Sequence, residues 1–229
     1  MRILAIGDIH GCLRAFDALL EQVDPQPVDV VITLGDYVDR GPDSKGVLDR
    51  LAELRTRCRL IPLKGNHDLM MIAARKDEEH FSEWLKCGGT QTLQSYNATA
   101  DWKSFVKNIP PEHWQFLREM CVAYHETTTH FFVHANAYPD CPLAEQPDYM
   151  LYWEQIEEGA WRPHESGKTM ICGHSVQRSG RPLVLDHAVC IDTWVYGDGW
   201  LTCLDVESEV YWQANQHGEI RIRNLGFRR

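Results

Sequence analysis

The chain has 229 residues, of which 44% are hydrophobic and 24% are charged, an ordinary composition for a globular protein. Its 23 Lys and Arg residues against 33 Asp and Glu residues give a net charge of −10, which excludes a protein that coats nucleic acid or an anionic membrane with a basic surface. No apolar run reaches the roughly 18 residues of a membrane span, and the run before Asp8 is too short for a secretory leader. We therefore expect a cytoplasmic protein with a single domain over residues 1–229.

The first seventy or so residues predict a β-α-β-α-β unit. Short apolar runs at 3–6, 28–34 and 60–63 predict strands, and each is followed by glycine and a short polar side chain. Helical spacing follows the first run, Asp43 or Ser44 can cap a helix after the second, and a third helix is expected over 67–75. Because such crossovers are right-handed, the three strands should be parallel, with their carboxyl ends at one edge of a sheet.

The middle of the chain, residues 77–118, is predicted to be mostly helical, with Pro110-Pro111 opening one of the helices. Beyond it, strands are predicted at 121–125, 130–134, 170–172, 183–185, 189–191, 201–206, 210–213 and 220–225. A parallel half followed by an antiparallel half predicts an α/β fold in which two mixed β-sheets form a sandwich flanked by helices.

Side chains that can bind a metal follow five of the predicted strands. Three of them come directly after a glycine at the ends of the first three strands, two end later strands, and one more stands in the loop after the first strand. They are Asp8, His10, Asp36, Asn66, His134 and His174. Ligand sites in open α/β sheets form at the carboxyl ends of the strands, so we expect these side chains to converge.

Oxygen and imidazole donors without thiolate suit manganese, zinc or iron, with manganese the first expectation. Six protein ligands are too many for one catalytic ion that must keep open positions. They can instead supply two ions about 3.5–4 Å apart, as in phosphoester hydrolysis. One carboxylate should then bridge the ions, and Asp36 is the candidate because its strand should lie between those of the other ligands.

Five sequence blocks resemble the signature blocks of the phosphoprotein phosphatase family. They are GDIHG at 7–11, GDYVDRG at 35–41, GNHD at 65–68, VHA at 133–135 and GH at 173–174. A Trp-Leu pair at 84–85 followed by Gly-Gly at 88–89 is similar to the short bacterial and phage members. The resemblance covers nearly the whole chain, extends to diadenosine tetraphosphatases, and implies the calcineurin-like metallophosphoesterase fold.

The resemblance also implies a role for each matched position. The first ion would be held by Asp8, His10 and Asp36, and the second by Asp36, Asn66, His134 and His174. His67 would be the general acid that protonates the leaving oxygen, with Asp39 orienting it, and Arg40 would bind the phosphate. The nucleophile would be a metal-bound hydroxide. An imidazole suits a poor alkoxide leaving group, and a guanidinium fork matches phosphate oxygens.

Several positions depart from the family pattern. Asp68 stands where most protein phosphatases have glutamate, and it is shared with the diadenosine tetraphosphatase branch. A second phosphate-binding arginine of the phage relatives is absent from residues 151–154. Either Arg162, Arg178 or Arg181 replaces it, or this chain lacks the second phosphate contact. Trp194 stands where relatives usually carry glycine, so its ring should narrow the cleft, and the nearby Asp192 fits either support for a metal-binding histidine or a turn.

These features predict a dinuclear metal-dependent phosphatase that hydrolyses phosphomonoesters, with phosphoserine and phosphothreonine in proteins as the first substrate class. The alternative substrate is a dinucleoside polyphosphate such as diadenosine tetraphosphate, since GDYVDRG favours the first class and GNHD the second. A third hypothesis is an inactive scaffold that binds phosphate, although a mere binder does not need a positioned acid such as His67. We expect a monomer that acts on a phosphoprotein or a phosphorylated small molecule, without a nucleic-acid or membrane partner.

Overall fold

The computed structural model describes residues 1–157 and 162–226, which form two β-sheets and the helices around them. The strands are β1 (Ile3–Ile6), β2 (Val30–Thr33), β3 (Arg59–Pro62), β4 (Tyr124–Glu126), β5 (His130–Val133), β6 (Thr169–Cys172), β7 (Leu183–Leu185), β8 (Ala188–Cys190), β9 (Leu201–Asp205), β10 (Val210–Ala214) and β11 (Ile220–Asn224). The α-helices are α1 (Leu13–Val23), α2 (Ser44–Arg57), α3 (Asn66–Ala74), α4 (Glu78–Trp84), α5 (Thr90–Ser95), α6 (Trp102–Asn108), α7 (Pro111–Gln115) and α8 (Asp148–Tyr152). Turns of π-helix at Leu85–Gly89 and Phe116–Met120 continue α4 and α7, and a 3-10 turn covers Leu143–Glu145. No helix in these two ranges is long and apolar enough to cross a bilayer.

The first sheet has the strand order β11-β10-β9-β1-β2-β3. In it β1, β2 and β3 are parallel and in register, with Ile6 opposite Thr33 and Thr33 opposite Pro62, so their carboxyl ends lie level at one edge. The second sheet has the order β4-β5-β6-β8-β7, and in it β5 and β6 are parallel. As predicted, β2, which leads to Asp36, lies between β1 and β3.

The expected division of the chain into a parallel half and an antiparallel half is wrong in one respect. The late strands β9, β10 and β11 do pair antiparallel, but they join β1 in the first sheet. In the second sheet β5, β6 and β8 are parallel, and β4 and β7 are antiparallel to their neighbours. Without β9, the free side of β1 would leave a row of backbone N–H and C=O groups unpaired, and β9 satisfies them.

Apolar side chains from both sheets meet between the sheets and form one core layer. Ala5 and Ile32 from the first sheet belong to the same buried cluster as Phe132, Ile171 and Val189 from the second, and all are at most 1% exposed. The other face of the first sheet packs against α1 and α2, whose apolar residues have the predicted helical spacing. The strands are therefore held on both faces, which fixes the edge where the candidate ligands lie.

The predicted elements agree with the structure except near some element ends. The helix predicted after the second strand is capped by Asp43, whose side chain accepts a backbone hydrogen bond from the first turn at 2.7 Å. The fourth predicted strand begins only at Tyr124. The reason is that Val122 instead exchanges hydrogen bonds with Pro62 and Lys64 beside the end of β3, both at 2.9 Å.

Candidate active site

The six predicted metal-ligating side chains lie together at one end of the sandwich. Three follow β1, β2 and β3, two follow β5 and β6, and His10 reaches the same place from the loop after β1. His174 is partly exposed, and the other five are buried. Close approach of the loops requires glycine at position 65, because a Cβ on Gly65 would lie 2.1 Å from Asp36 Oδ1.

Asp36 lies at the centre of the group. Its Oδ2 is 3.3 Å from His10 Nε2, and its Oδ1 is 3.5 Å from His134 Nε2. Donor atoms of His10, Asp36 and His67 lie within 4.8 Å of one another, as do those of Asp36, His134 and His174. Two groups of donors therefore share the Asp36 carboxylate, and the first group contains His67 where Asp8 was predicted. That Asp36 bridges two ions stays a prediction.

Hydrogen bonds on the outer side of each histidine ring fix which nitrogen faces the centre. Nδ1 of His10 and Nδ1 of His134 donate to backbone carbonyls at 2.9 and 2.8 Å. His174 is turned the other way, with Nε2 donating to the Trp153 carbonyl at 3.0 Å. In a neutral imidazole the opposite nitrogen carries a lone pair, so three lone pairs point toward the shared carboxylate and its neighbours.

Two of these lone pairs face another acceptor. Asn66 Oδ1 lies 2.9 Å from His134 Nε2 and 3.0 Å from His174 Nδ1. Burial lowers the pKa of His134 below its usual value and that of His174 to about 4, so both rings are neutral at neutral pH. Acceptors this close are stabilised by a cation between them, and oxygen with imidazole donors suits manganese, zinc or iron. The residues present therefore fit divalent metal ions.

Two carboxylates lie beside these donor groups, and one of them, Asp8, is a predicted ligand. Asp8 accepts a hydrogen bond from the His174 backbone N–H at 3.0 Å, and burial followed by repulsion from Asp192 and Asp36 raises its pKa well above the usual value. One oxygen of Asp192 accepts from the Trp194 backbone N–H at 3.1 Å, as a turn residue does. The other oxygen is buried without a partner among the described residues, and burial raises the pKa of Asp192 to about 7. Buried carboxylates that repel one another are a second reason why this site suits positive charge.

His67 and Asp39 form a buried hydrogen-bonded pair next to the ligand group. Nδ1 of His67 lies 2.8 Å from Asp39 Oδ2, and the His67 ring meets the His10 ring edge-on with 4.8 Å between centroids. Burial is the main cause that raises the pKa of Asp39, and the hydrogen bond from His67 opposes it. The structure thus places both residues as the resemblance implied, with Asp39 fixing the orientation of the imidazole.

Asp39 is in turn held by the side chains of Trp84 and Thr92, for which the sequence predicted no role in the site. Trp84 Nε1 donates to both carboxylate oxygens, at 3.0 and 2.9 Å, and Thr92 Oγ1 donates to one of them at 2.8 Å. The Arg40 backbone N–H donates to the Gly88 carbonyl at 3.1 Å. The Trp-Leu and Gly-Gly segment therefore builds the wall behind the pair of Asp39 and His67. Sequence reasoning missed this role because a buried tryptophan is ordinary core material.

Arg40 reaches the ligand group from the loop after β2. Its Nη1 lies 3.0 Å from His10 Nε2, and its guanidinium lies over the Tyr196 ring at 4.5 Å from the centroid. Tyr196 also meets the His10 ring edge-on at 4.8 Å. The guanidinium thus places positive charge against the lone pair of His10. Nothing in the sequence marks Tyr196, because its contacts join two loops that are far apart along the chain.

Asp68, the departure in the third block, does not face the cleft. It is fully buried, and its carboxylate accepts backbone hydrogen bonds from Asp36 and Gly65 at 2.9 Å and from Tyr37 at 3.1 Å. Its task is to hold the loops after β2 and β3 together.

One protein-family model matches most of this chain. The family model for calcineurin-like phosphoesterases matches residues 1–198. The chain belongs to this family. The predicted resemblance and the predicted fold are thereby confirmed, while a single domain over the whole of 1–229 stays a prediction.

The chain is similar to curated relatives of two kinds. Over 103 residues it is 41% identical to a symmetrical bis(5′-nucleosyl)-tetraphosphatase of Paracidovorax citrulli, which covers 44% of this chain and 36% of that protein. Over 89 residues it is 37% identical to serine/threonine-protein phosphatase 1 of Salmonella typhimurium, which covers 38% of each chain. These matches thus span little more than a third of each relative.

Solved structures extend the likeness over the whole length. The crystal structure of a candidate diadenosine tetraphosphatase covers 97% of this chain and 93% of its own, with a TM-score of 0.66 and 19% sequence identity. At this identity the likeness shows the fold alone. The family is named for phosphoesterases, which are enzymes that hydrolyse phosphate esters.

The wall behind Asp39 leads to a stability prediction. Trp84→Phe keeps an aromatic ring but removes the only N–H of the side chain, which donates to both oxygens of a buried carboxylate. We expect the free energy of unfolding to fall by about 1–3 kcal/mol beyond the loss of ring volume. Urea unfolding followed by circular dichroism measures it.

Trp114→Phe is the matched control. Trp114 is also buried, but its Nε1 has no hydrogen-bond partner among the described residues, so the substitution removes ring volume without a hydrogen bond. A loss for Trp84→Phe no larger than for Trp114→Phe would show that Trp84 only fills space.

Proposed function

We propose that this protein is a dinuclear metal-dependent phosphohydrolase. The observation that carries the proposal is the position of Asp36, whose two oxygens face two separate groups of neutral donors, with the His67–Asp39 pair beside them. A protein that only binds phosphate has no need of a buried carboxylate that orients a histidine next to the ligands. The inactive scaffold is therefore the weaker hypothesis.

Two sets of side chains would hold the ions. The family resemblance implies Asp8, His10 and Asp36 for the first ion, and Asp36, Asn66, His134 and His174 for the second. Of these, His10 lies in one donor group with Asp36, and His134 and His174 lie in the other. Manganese remains the first candidate, with zinc and iron as alternatives, because the donors are oxygens and imidazoles. When bound, two divalent ions supply Lewis-acid stabilisation of phosphoryl oxygens and a source of nucleophile at neutral pH.

His67 would donate the proton that the leaving oxygen needs. Its Nδ1 is held by Asp39 Oδ2 at 2.8 Å, which leaves Nε2 as the nitrogen available to a substrate. Arg40 would bind the phosphate. Its guanidinium is a positive group that lies next to His10, and the Tyr196 ring supports it from below. These roles are distinct, so each should respond differently to the leaving group.

Among substrates we place dinucleoside polyphosphates first and phosphoserine or phosphothreonine second. Several curated relatives are named symmetrical bis(5′-nucleosyl)-tetraphosphatases, and this reverses the order that the GDYVDRG block favoured. The second candidate keeps support from the similarity to serine/threonine-protein phosphatase 1 of Salmonella typhimurium.

Metal binding should depend on Asp36. Asp36→Asn removes the shared negative charge with almost no change of shape, and asparagine tolerates the left-handed φ of 51° at this position. We expect about two manganese ions per chain in the parent protein and fewer than about one in the variant, because a neutral amide is a poor bridge. Elemental analysis after gel filtration counts the ions. The exposed Asp186→Asn is the control, and two ions retained by Asp36→Asn would contradict the proposed sites.

A substrate panel decides between the candidates. Purified protein at a fixed free concentration of Mn²⁺ is given diadenosine tetraphosphate, a phosphoserine peptide and nitrophenyl phosphate. We expect the highest kcat/KM on diadenosine tetraphosphate, and loss of all turnover on chelation with recovery on added Mn²⁺. A higher value on the phosphopeptide would restore the first expectation from the sequence, whereas no turnover of any substrate would favour the scaffold.

His67 should matter most when the leaving group is a strong base. An alkoxide needs a proton in the transition state but a nitrophenolate does not, so His67→Asn should lower kcat on an alkyl phosphate by about 10²–10⁴-fold and much less on nitrophenyl phosphate. Manganese content should stay near two ions per chain, within about a tenth of the parent value.

Two further variants are compared with His67→Asn, one as a contrast and one as a control. Arg40→Ala should slow both substrates and raise KM for both, since phosphate contact does not depend on the leaving group. The exposed His80 lies on α4, and His80→Asn should change neither rate. Equal losses on both substrates for His67→Asn would show that His67 positions phosphate or metal and is not the acid.

A further inference from the structure

Two arginines near the active site each lie on an aromatic ring. The Arg40 guanidinium is 4.5 Å from the centroid of Tyr196, and the Arg178 guanidinium is 5.3 Å from the centroid of Trp194. Both rings belong to the segment that follows the buried Asp192. Tyr196 contacts His10 of the ligand group. Trp194 is only two residues before Tyr196, so the second stacked pair lies close to the first along the chain.

A backbone hydrogen bond brings Arg178 and Trp194 together. The Gln177 N–H donates to the Asp192 carbonyl at 2.8 Å, which joins the loop after β6 to the loop after β8. The Gln177 side chain also donates to the Ser175 carbonyl at 2.6 Å. Arg178, which follows Gln177, and Trp194, which lies two residues after Asp192, are therefore brought next to each other.

Trp194 has a backbone conformation that is unfavourable for a residue with a side chain. Its φ is 67°, in the left-handed region that favours glycine. Its ring packs so tightly on Gly197 that a Cβ at that position would lie 2.3 Å from the indole. A bulky side chain held in an unfavourable backbone conformation at the edge of an active site indicates a role for the ring.

Of Arg162, Arg178 and Arg181, Arg178 is the one whose guanidinium lies on a ring of the segment that also carries Tyr196. Arg162 pairs with Asp140 at 2.5 Å. Arg181 stacks on no ring among the described residues, whereas Arg178 stacks on Trp194 and makes no ion pair in that part of the chain. Burial raises the pKa of the Tyr196 hydroxyl, and Arg40 and Arg178 both oppose that rise, as cations near the same hydroxyl do.

We propose that Arg178, positioned by the Trp194 ring, binds a second phosphoryl group of the substrate beside the one that Arg40 faces. A stacked guanidinium keeps its N–H edge free for phosphate oxygens and loses little freedom on binding. The pair would then favour substrates with a chain of phosphates over single phosphomonoesters. This inference rests on the proposed function and gives it a determinant of specificity.

Binding of small phosphates tests the proposal apart from turnover. Calorimetry on the Mn²⁺-loaded protein, at equal free Mn²⁺, compares methylenebisphosphonate, which has two phosphoryl groups that water cannot separate, with orthophosphate. Arg178→Gln should weaken the bisphosphonate about tenfold or more and orthophosphate less than about threefold, as expected for one charged hydrogen-bonding contact. Arg181→Gln removes the same charge from a nearby exposed position and should change neither affinity.

Trp194 is a positioning residue, so its effect should pass through Arg178. Trp194→Gly suits the backbone and should weaken the bisphosphonate about as much as Arg178→Gln, while Trp194→Phe keeps a ring and should retain most of the affinity. The double variant Arg178→Gln/Trp194→Gly should be no weaker than either single variant, because the two residues form one contact. In the same variants KM for diadenosine tetraphosphate should rise more than kcat falls.

Three results would overturn the proposal. They are equal losses for both phosphates, additive losses in the double variant, or a loss that appears only with diadenosine tetraphosphate and not with the bisphosphonate, which would assign the ring to the base. Absence of turnover in the parent protein would instead count against the proposed function, since the calorimetric comparison does not require hydrolysis.

Discussion

The rest of the active-site architecture depends on one electrostatic constraint, which is that negative and neutral acceptor groups are buried together around Asp36. Its oxygens face His10 and His134, and Asn66 faces the lone pairs of two histidines. Asp8 and Asp192 add further buried carboxylates at the same edge. Buried charge is costly unless it is compensated, so this end of the sandwich is built for cations, and the family to which the chain belongs agrees with that chemistry.

A second layer of buried groups holds these acceptors in place. Asp68 gathers backbone N–H groups from two loops, and Trp84 and Thr92 hold Asp39, which in turn holds His67. The loops pass through left-handed backbone conformations to achieve this. The non-glycine residues of the site with positive φ are His10, Asp36, Asp39, Arg40, His174 and Trp194. Such conformations persist where surrounding contacts over-determine them, and here the buried carboxylates provide those contacts.

The outer part of the site has a different character from its centre. The ligands of the centre are buried except for the partly exposed His174, and their positions follow from the register of the strands that they end. At the rim, Arg40 and Arg178 lie on the rings of Tyr196 and Trp194. If the proposed roles hold, the groups that perform the chemistry and those that select the substrate lie in different parts of the site.

The sequence alone determined much of the fold and of the candidate site. Short apolar runs that end in glycine and a polar side chain located β1, β2 and β3 together with Asp8, Asp36 and Asn66, because strand periodicity and right-handed crossovers leave little choice of topology. Only the tertiary structure decided that β9 pairs with β1, that Trp84 supports Asp39, and that Tyr196 and Arg178 lie at the rim. These are contacts between segments far apart along the chain, and local pattern does not encode which distant backbone will satisfy an unpaired strand edge or a buried carboxylate.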